Sequence, residues 1–145
     1  TAQSNRSTMR KISFIAVHCT ATPQTTTIAS IQNYWRNTLK WKSAGYQIII
    51  TPDGKINRLA PDEAVCNGVA GFNSVSLHVS YIGGVDAKGK AIDNRTSQQK
   101  AALLQVVTEW KRKYPNAIIQ GHHDFPRVKK ACPSFDARGE YKDIK

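Results

Sequence analysis

A chain of 145 residues, 40% hydrophobic, has the size of one domain and buries a core without disulfide staples. No apolar run approaches the roughly 20 residues needed to cross a bilayer, so membrane insertion is not expected, and no export signal is visible in this chain. The formal net charge of +11 calls for an anionic partner or surface, but the basic residues are scattered, with no arginine-rich arm or RNA-binding aromatic motif, so nucleic acid is not expected either.

Residues 1–11 are polar and are expected to form a flexible N-terminal extension, with one folded domain over 12–145. Ile12–His18 reads as a buried strand ending at the polar turn Thr20-Ala21-Thr22-Pro23. Neighbours on a strand point to opposite faces, so Cys19 is expected in the core if His18 faces a cleft. A helix follows from about Thr27, with Ile28, Ile31, Trp35 and Leu39 as one apolar face. Gly45 breaks that pattern. Tyr46–Thr51 is a strand, Pro52-Asp53-Gly54 a turn, and Lys55–Leu59 the returning strand of a hairpin. Pro61–Asn73 is glycine-spotted loop. Val75–Ile82 is a strand stopped by Gly83-Gly84, and Asp86–Arg95 is a polar connection. The clearest helix runs over Ser97–Lys113, with Thr96 and Gln99 as a capping box and Leu103, Val107, Trp110 and Tyr114 as its apolar stripe. Pro115-Asn116 ends it, and Ala117–Gln120 is a short strand delivering His122 to its end. Strands interspersed with two substantial helices predict a layered α/β domain.

The chemistry concentrates in Gly121-His122-His123-Asp124 and Lys130-Ala131-Cys132-Pro133-Ser134-Phe135-Asp136, together with His18. Two imidazoles and one thiolate are a normal ligand set for a zinc ion that keeps a fourth position open. His18 leaves one strand and His122 another, so they meet only if those two strands are neighbours. His122 and His123 compete for the same role, since adjacent residues point in different directions. Asp124 either orients an imidazole or serves as a loop acid or helix cap. His78, inside a strand, reads as a satisfied structural histidine. Tyr46 is either a strand tyrosine with a surface hydroxyl or a phenol beside the metal water. Lys130 is either a surface lysine or a fixed positive charge for a developing oxyanion. Cys66 has no evident partner, and a Cys19–Cys66 disulfide remains open.

Val17-His18-Cys19-Thr20-Ala21-Thr22, Gly45-Tyr46, Gly83-Gly84-Val85-Asp86, Gly121-His122-His123 and Lys130 through Asp136, in this order, resemble the type 2 N-acetylmuramoyl-L-alanine amidases. That family includes small phage lysozymes that are amidases and is related to the peptidoglycan recognition proteins. The resemblance implies a zinc site of His18, His122 and Cys132, with His123 outside it and Tyr46 and Lys130 as catalytic helpers. It implies a central mixed sheet flanked by helices, with the zinc site in a surface groove at strand ends. The implied reaction is zinc-dependent cleavage of the amide between N-acetylmuramic acid and the L-alanine of the stem peptide. Bacterial peptidoglycan is the implied partner, met at the cell wall by a monomer from the periplasm, by secretion or on phage release. Relatives that bind peptidoglycan without cutting it typically lack the cysteine ligand, so Cys132 argues against a purely recognising module. Two departures stand out: Gln47 where relatives often have histidine, and Gly68 or Val69 where some have a cleft histidine.

Overall fold

The computed structural model describes residues 10–145, so the expected extension lies outside the described residues as far as residue 9. Arg10 is already tied to the domain, its guanidinium donating to the carbonyls of Asp62, Ala64, Asn73, Ser74 and Ser76 at 2.5–3.3 Å.

The β-rich runs form β1 (Phe14–Cys19), β2 (Ile48–Ile50), β3 (Ile56–Arg58), β4 (Ser76–Tyr81) and β5 (Ile118–Gly121). They make one sheet ordered β3-β2-β4-β1-β5. The β2–β3 hairpin is antiparallel and every other pairing is parallel, which gives the mixed sheet expected. Helices α1 (Ile28–Asn33), α2 (Ser97–Lys113) and α3 (Ala137–Glu140) complete the layers.

Alternation along β1 divides the interior in two. Ile15, Val17 and Cys19 share one cluster with Leu103, Val106, Val107 and Trp110 of α2. The opposite face holds Ala16 with Val69 and Phe125, and a third cluster of Ile31, Trp35, Ile49 and Ile82. Cys19 is thus a core sulfur, as the alternation predicts. All three cysteines are free, so the Cys19–Cys66 disulfide does not form.

The capping box at α2 is present in both directions: Thr96 Oγ1 accepts the Gln99 N–H, and Gln99 Oε1 accepts the Thr96 N–H, each at 3.0 Å. Gln99 also reaches the carbonyls of Ile50 and Ile82 and so fixes the helix to the sheet. The first helix departs from the predicted pattern. After Asn33 it widens into a π-helical turn over Tyr34–Thr38, with the Leu39 N–H bonded to the Tyr34 carbonyl at 3.0 Å. The wider turn rotates Leu39 off the apolar face to 36% exposed, while Trp35 stays buried. The Pro61–Asn73 segment is pinned by buried Asp62, whose carboxylate accepts from Arg58, Trp110, Lys113 and Tyr114. Among the described residues no helix is long and apolar enough to cross a membrane.

Candidate metal centre and active site

β1 and β5 run parallel side by side, with Val17 opposite Gly121. The next residue of each chain segment is a histidine, and the rings of His18 and His122 come to 4.8 Å between centroids. The condition that the two strands be neighbours is therefore met.

The third donor arrives on a loop that folds back along the end of β5. The His123 N–H donates to the Cys132 carbonyl at 2.8 Å. A Cβ on Gly121 would lie 2.6 Å from Pro133 Cδ, so glycine is what lets the loop approach this closely. The Cys19 N–H donates to Cys132 Sγ at 3.1 Å and aims the sulfur at His18, whose Nδ1 is 3.8 Å away. The ligand atoms of His18, His122 and Cys132 all lie within 4.8 Å of one another. A tetrahedral zinc with two nitrogen and one sulfur ligands spaces them roughly 3.3–3.6 Å apart. The three donors fit such an ion with a modest closing of the group.

The environment prepares the donors. Burial, then His78, His122 and Lys130, hold the His18 pKa well below its ordinary value. Burial, then Lys130 and His123, bring His122 down to about 4. Both imidazoles are neutral at pH 7, the form that ligates a metal. Burial pushes the Cys132 thiol well above its usual range, against the pull of the Cys19 N–H and the Lys130 charge, so a cation bound here would be needed to favour the thiolate.

The competing residues separate clearly. His123 turns away from His18, with Nδ1 3.2 Å from the Ala131 carbonyl and Nε2 3.5 Å from Asp124. Asp124 accepts the Gly121 N–H at 2.9 Å, so it caps the short turn that follows β5 and touches His123 rather than the clustered His122. The Tyr46 ring lies 4.9 Å from that of His18 and 5.5 Å from Trp35. Burial, then the charges of Cys132 and Cys19, raise the Tyr46 pKa, so the phenol keeps its proton. Lys130 is exposed, yet near enough to act on His18, His122 and Cys132. Trp35, which backs Tyr46, also lines a surface hollow of about 120 Å³ with Arg36, Trp41 and Lys42.

Three features escape sequence reasoning. His78 is not merely a packed strand residue: its Nδ1 lies 3.0 Å from Nε2 of His18. Gln47 is fully buried, accepting the His78 N–H at 2.8 Å and donating to the Ala64 carbonyl at 2.9 Å, so it braces the sheet instead of lining a cleft. Arg95, in the connection read only as polar, is a buried guanidinium held between Asp93 and Glu140 and stacked 3.4 Å over Phe135. Only the parallel register could have flagged His78; nothing local marks the other two.

A family model described as N-acetylmuramoyl-L-alanine amidase matches residues 8–135. The chain is 40% identical to the endolysin of Enterobacteria phage K11 over 121 residues, covering 83% of this chain and 79% of the relative. It is 38% identical to the endolysin of Klebsiella phage KP32 over 130 residues, covering 89% and 85%. Among solved structures it resembles the Ph2119 endolysin from the Thermus scotoductus MAT2119 bacteriophage Ph2119, with a TM-score of 0.76 at 26% identity over 90% of this chain and 82% of that one. The fold is also that of Apis mellifera PGRP-SA, with a TM-score of 0.74 at 19% identity, covering 91% and 82%.

Proposed function

The chain belongs to the N-acetylmuramoyl-L-alanine amidase family, and from that premise we propose a zinc-dependent enzyme that hydrolyses the amide between the lactyl group of N-acetylmuramic acid and the L-alanine of the stem peptide. The observation that carries this reading is the convergence of His18, His122 and Cys132. Three donors, two of them neutral imidazoles, beside a proton-bearing phenol and an exposed ammonium, suit a hydrolytic centre better than a closed structural zinc site with four protein ligands.

His18, His122 and Cys132 would hold the zinc ion, which would supply Lewis acidity and make water acidic enough to act near pH 7. The rest falls to the chain's own side chains. Lys130 places a positive charge where the carbonyl oxygen of the scissile amide becomes an oxyanion. Tyr46 keeps its proton at neutral pH and donates it in a hydrogen bond to that oxygen or to the departing nitrogen. The residues named all lie within a single fold, which suits a monomer as the active unit. The net charge of +11 draws the enzyme to the anionic wall.

The test is the appearance of new amino termini in purified peptidoglycan. Release of N-terminal L-alanine, abolished both by zinc chelation and by Cys132→Ala, supports the reading. Tight wall binding without release, in protein that carries zinc, replaces it with a recognition module.

A further inference from the structure

His78 stands on β4, on the same face as His18, and its ring is wholly buried. Its place is fixed from several sides. In the parallel register it lies opposite Ala16, two residues before His18 on β1. Gln47 grips its backbone in both directions, accepting its N–H at 2.8 Å and donating a backbone N–H to its carbonyl at 3.0 Å. Gly68 closes over the ring: a Cβ there would lie 2.3 Å from His78 Nδ1. One ring nitrogen meets His18 Nε2 at 3.0 Å, and the other, Nε2, is buried without a partner among the described residues.

Packing alone does not account for this residue. An apolar side chain would fill the same space without leaving a buried polar atom unpaired. A cation on Nδ1 of His18 requires the proton of that neutral imidazole on Nε2, where an acceptor must receive it. Ligating histidines almost always find such an acceptor in a carboxylate, a carbonyl or water, and the partner fixes tautomer and ring orientation. Here the acceptor in reach is the Nδ1 lone pair of a second, neutral imidazole, which adds no charge to the site.

We propose that His78 is a positioning residue, holding His18 as the Nε2–H tautomer with its Nδ1 lone pair turned toward Cys132 and His122, and that Gly68 is the residue whose missing side chain admits the His78 ring. The inference rests on the zinc reading above. It concerns how the ligand is held, which the three-donor set leaves open.

Zinc affinity, measured by competition with a chromophoric chelator, tests it without recourse to turnover. His78→Ala is expected to weaken zinc binding about 10–100-fold, the usual cost of losing a ligand's outer partner. His78→Asn, whose amide oxygen stands where Nδ1 was, is expected to restore most of that loss. Gly68→Ala should lose as much as His78→Ala, yet add nothing in the double variant, because both break the same contact. The ¹⁵N imidazole spectrum of the zinc-loaded wild type needs no variant at all. It should show His18 and His78 each protonated on Nε2, with Nδ1 of His78 accepting. A His78 protonated on Nδ1, or a folded His78→Ala that binds zinc within about twofold of wild type, overturns the proposal. Were the wild type to take up no zinc, the proposed function itself would fall. Were it to bind zinc and release L-alanine while His78→Ala bound zinc equally, only the role of His78 would fall.

Discussion

Replacing Arg95 by methionine tests how firmly the Cys132 loop is anchored. The guanidinium side chain is 2% exposed and makes four charge-assisted bonds at 2.8–2.9 Å, two to Asp93 and two to Glu140. It also lies 3.4 Å over the ring of Phe135, three residues beyond Cys132. Removing one partner of a fully buried ion pair costs about 3–5 kcal/mol, because a charge is stranded. Here the stranded groups are Asp93 and Glu140, whose side chains are 32% and 40% exposed and therefore rehydrate. Methionine also keeps the aliphatic packing against Phe135. The lower end, about 3 kcal/mol, follows, and for a domain of this size it corresponds to a fall of roughly 6–12 °C in Tm. Because Phe135 and Glu140 flank the segment leading away from Cys132, zinc affinity should drop as well, by about tenfold for each 1.4 kcal/mol of the loss felt at the site. Thermal unfolding of the chelator-treated protein and zinc competition together measure both parts. A melting point within about 2 °C of wild type would show that the clamp is ornamental to stability and that the reasoning from burial is wrong.

Other outcomes follow from the same geometry. Tyr46→Phe removes one proton donor without touching a ligand, so kcat should fall about 10²-fold or more with zinc affinity unchanged; a lost zinc site would instead assign Tyr46 a packing role. Burial lowers His78 to about 3 and His122 to about 4, so both stay neutral in the fold while an unfolded chain protonates them below about 6.5. Stability of the metal-free protein is therefore complete above pH 6.5 and is lost as pH falls toward those depressed values, at about 1 kcal/mol per unit from His78 with His122 adding in the same sense; urea midpoints that stay flat from pH 7 to 5 would contradict this. Release of L-alanine from whole walls should fall with added salt more steeply than release from a small soluble muropeptide, if the charge of +11 serves encounter with the wall; parallel salt curves would remove that role.

Much of this molecule is legible in its residues because local chemistry and tertiary structure agree. The Thr96–Gln99 capping box starts α2 where its side-chain types place it. The alternation at Val17-His18-Cys19 correctly puts Cys19 in the core and sends His18 to the opposite face of the strand, where it is buried as well. What escaped depends on information that no short window holds. Leu39 leaves the apolar face because a π-helical turn, which the helical period does not announce, intervenes after Asn33. His78 meets His18 through the parallel register of two strands far apart in sequence. Gln47 and Arg95 are polar side chains whose burial depends on distant partners, the Ala64 carbonyl and the Glu140 carboxylate, that only the assembled fold supplies.

The alternation on β1 has one more consequence. Side chains alternate between faces from one strand residue to the next, so a slip of a single residue in pairing with β4 or β5 would exchange the two faces of the strand completely. His18 would then enter the apolar layer beneath α2, and Val17 or Cys19 would stand beside His122 and Cys132 in its place. Such a strand loses its core and its chemistry in the same event. The hydrophobic layer thereby penalises the same slip that would displace His18 from the His18–His122–Cys132 cluster.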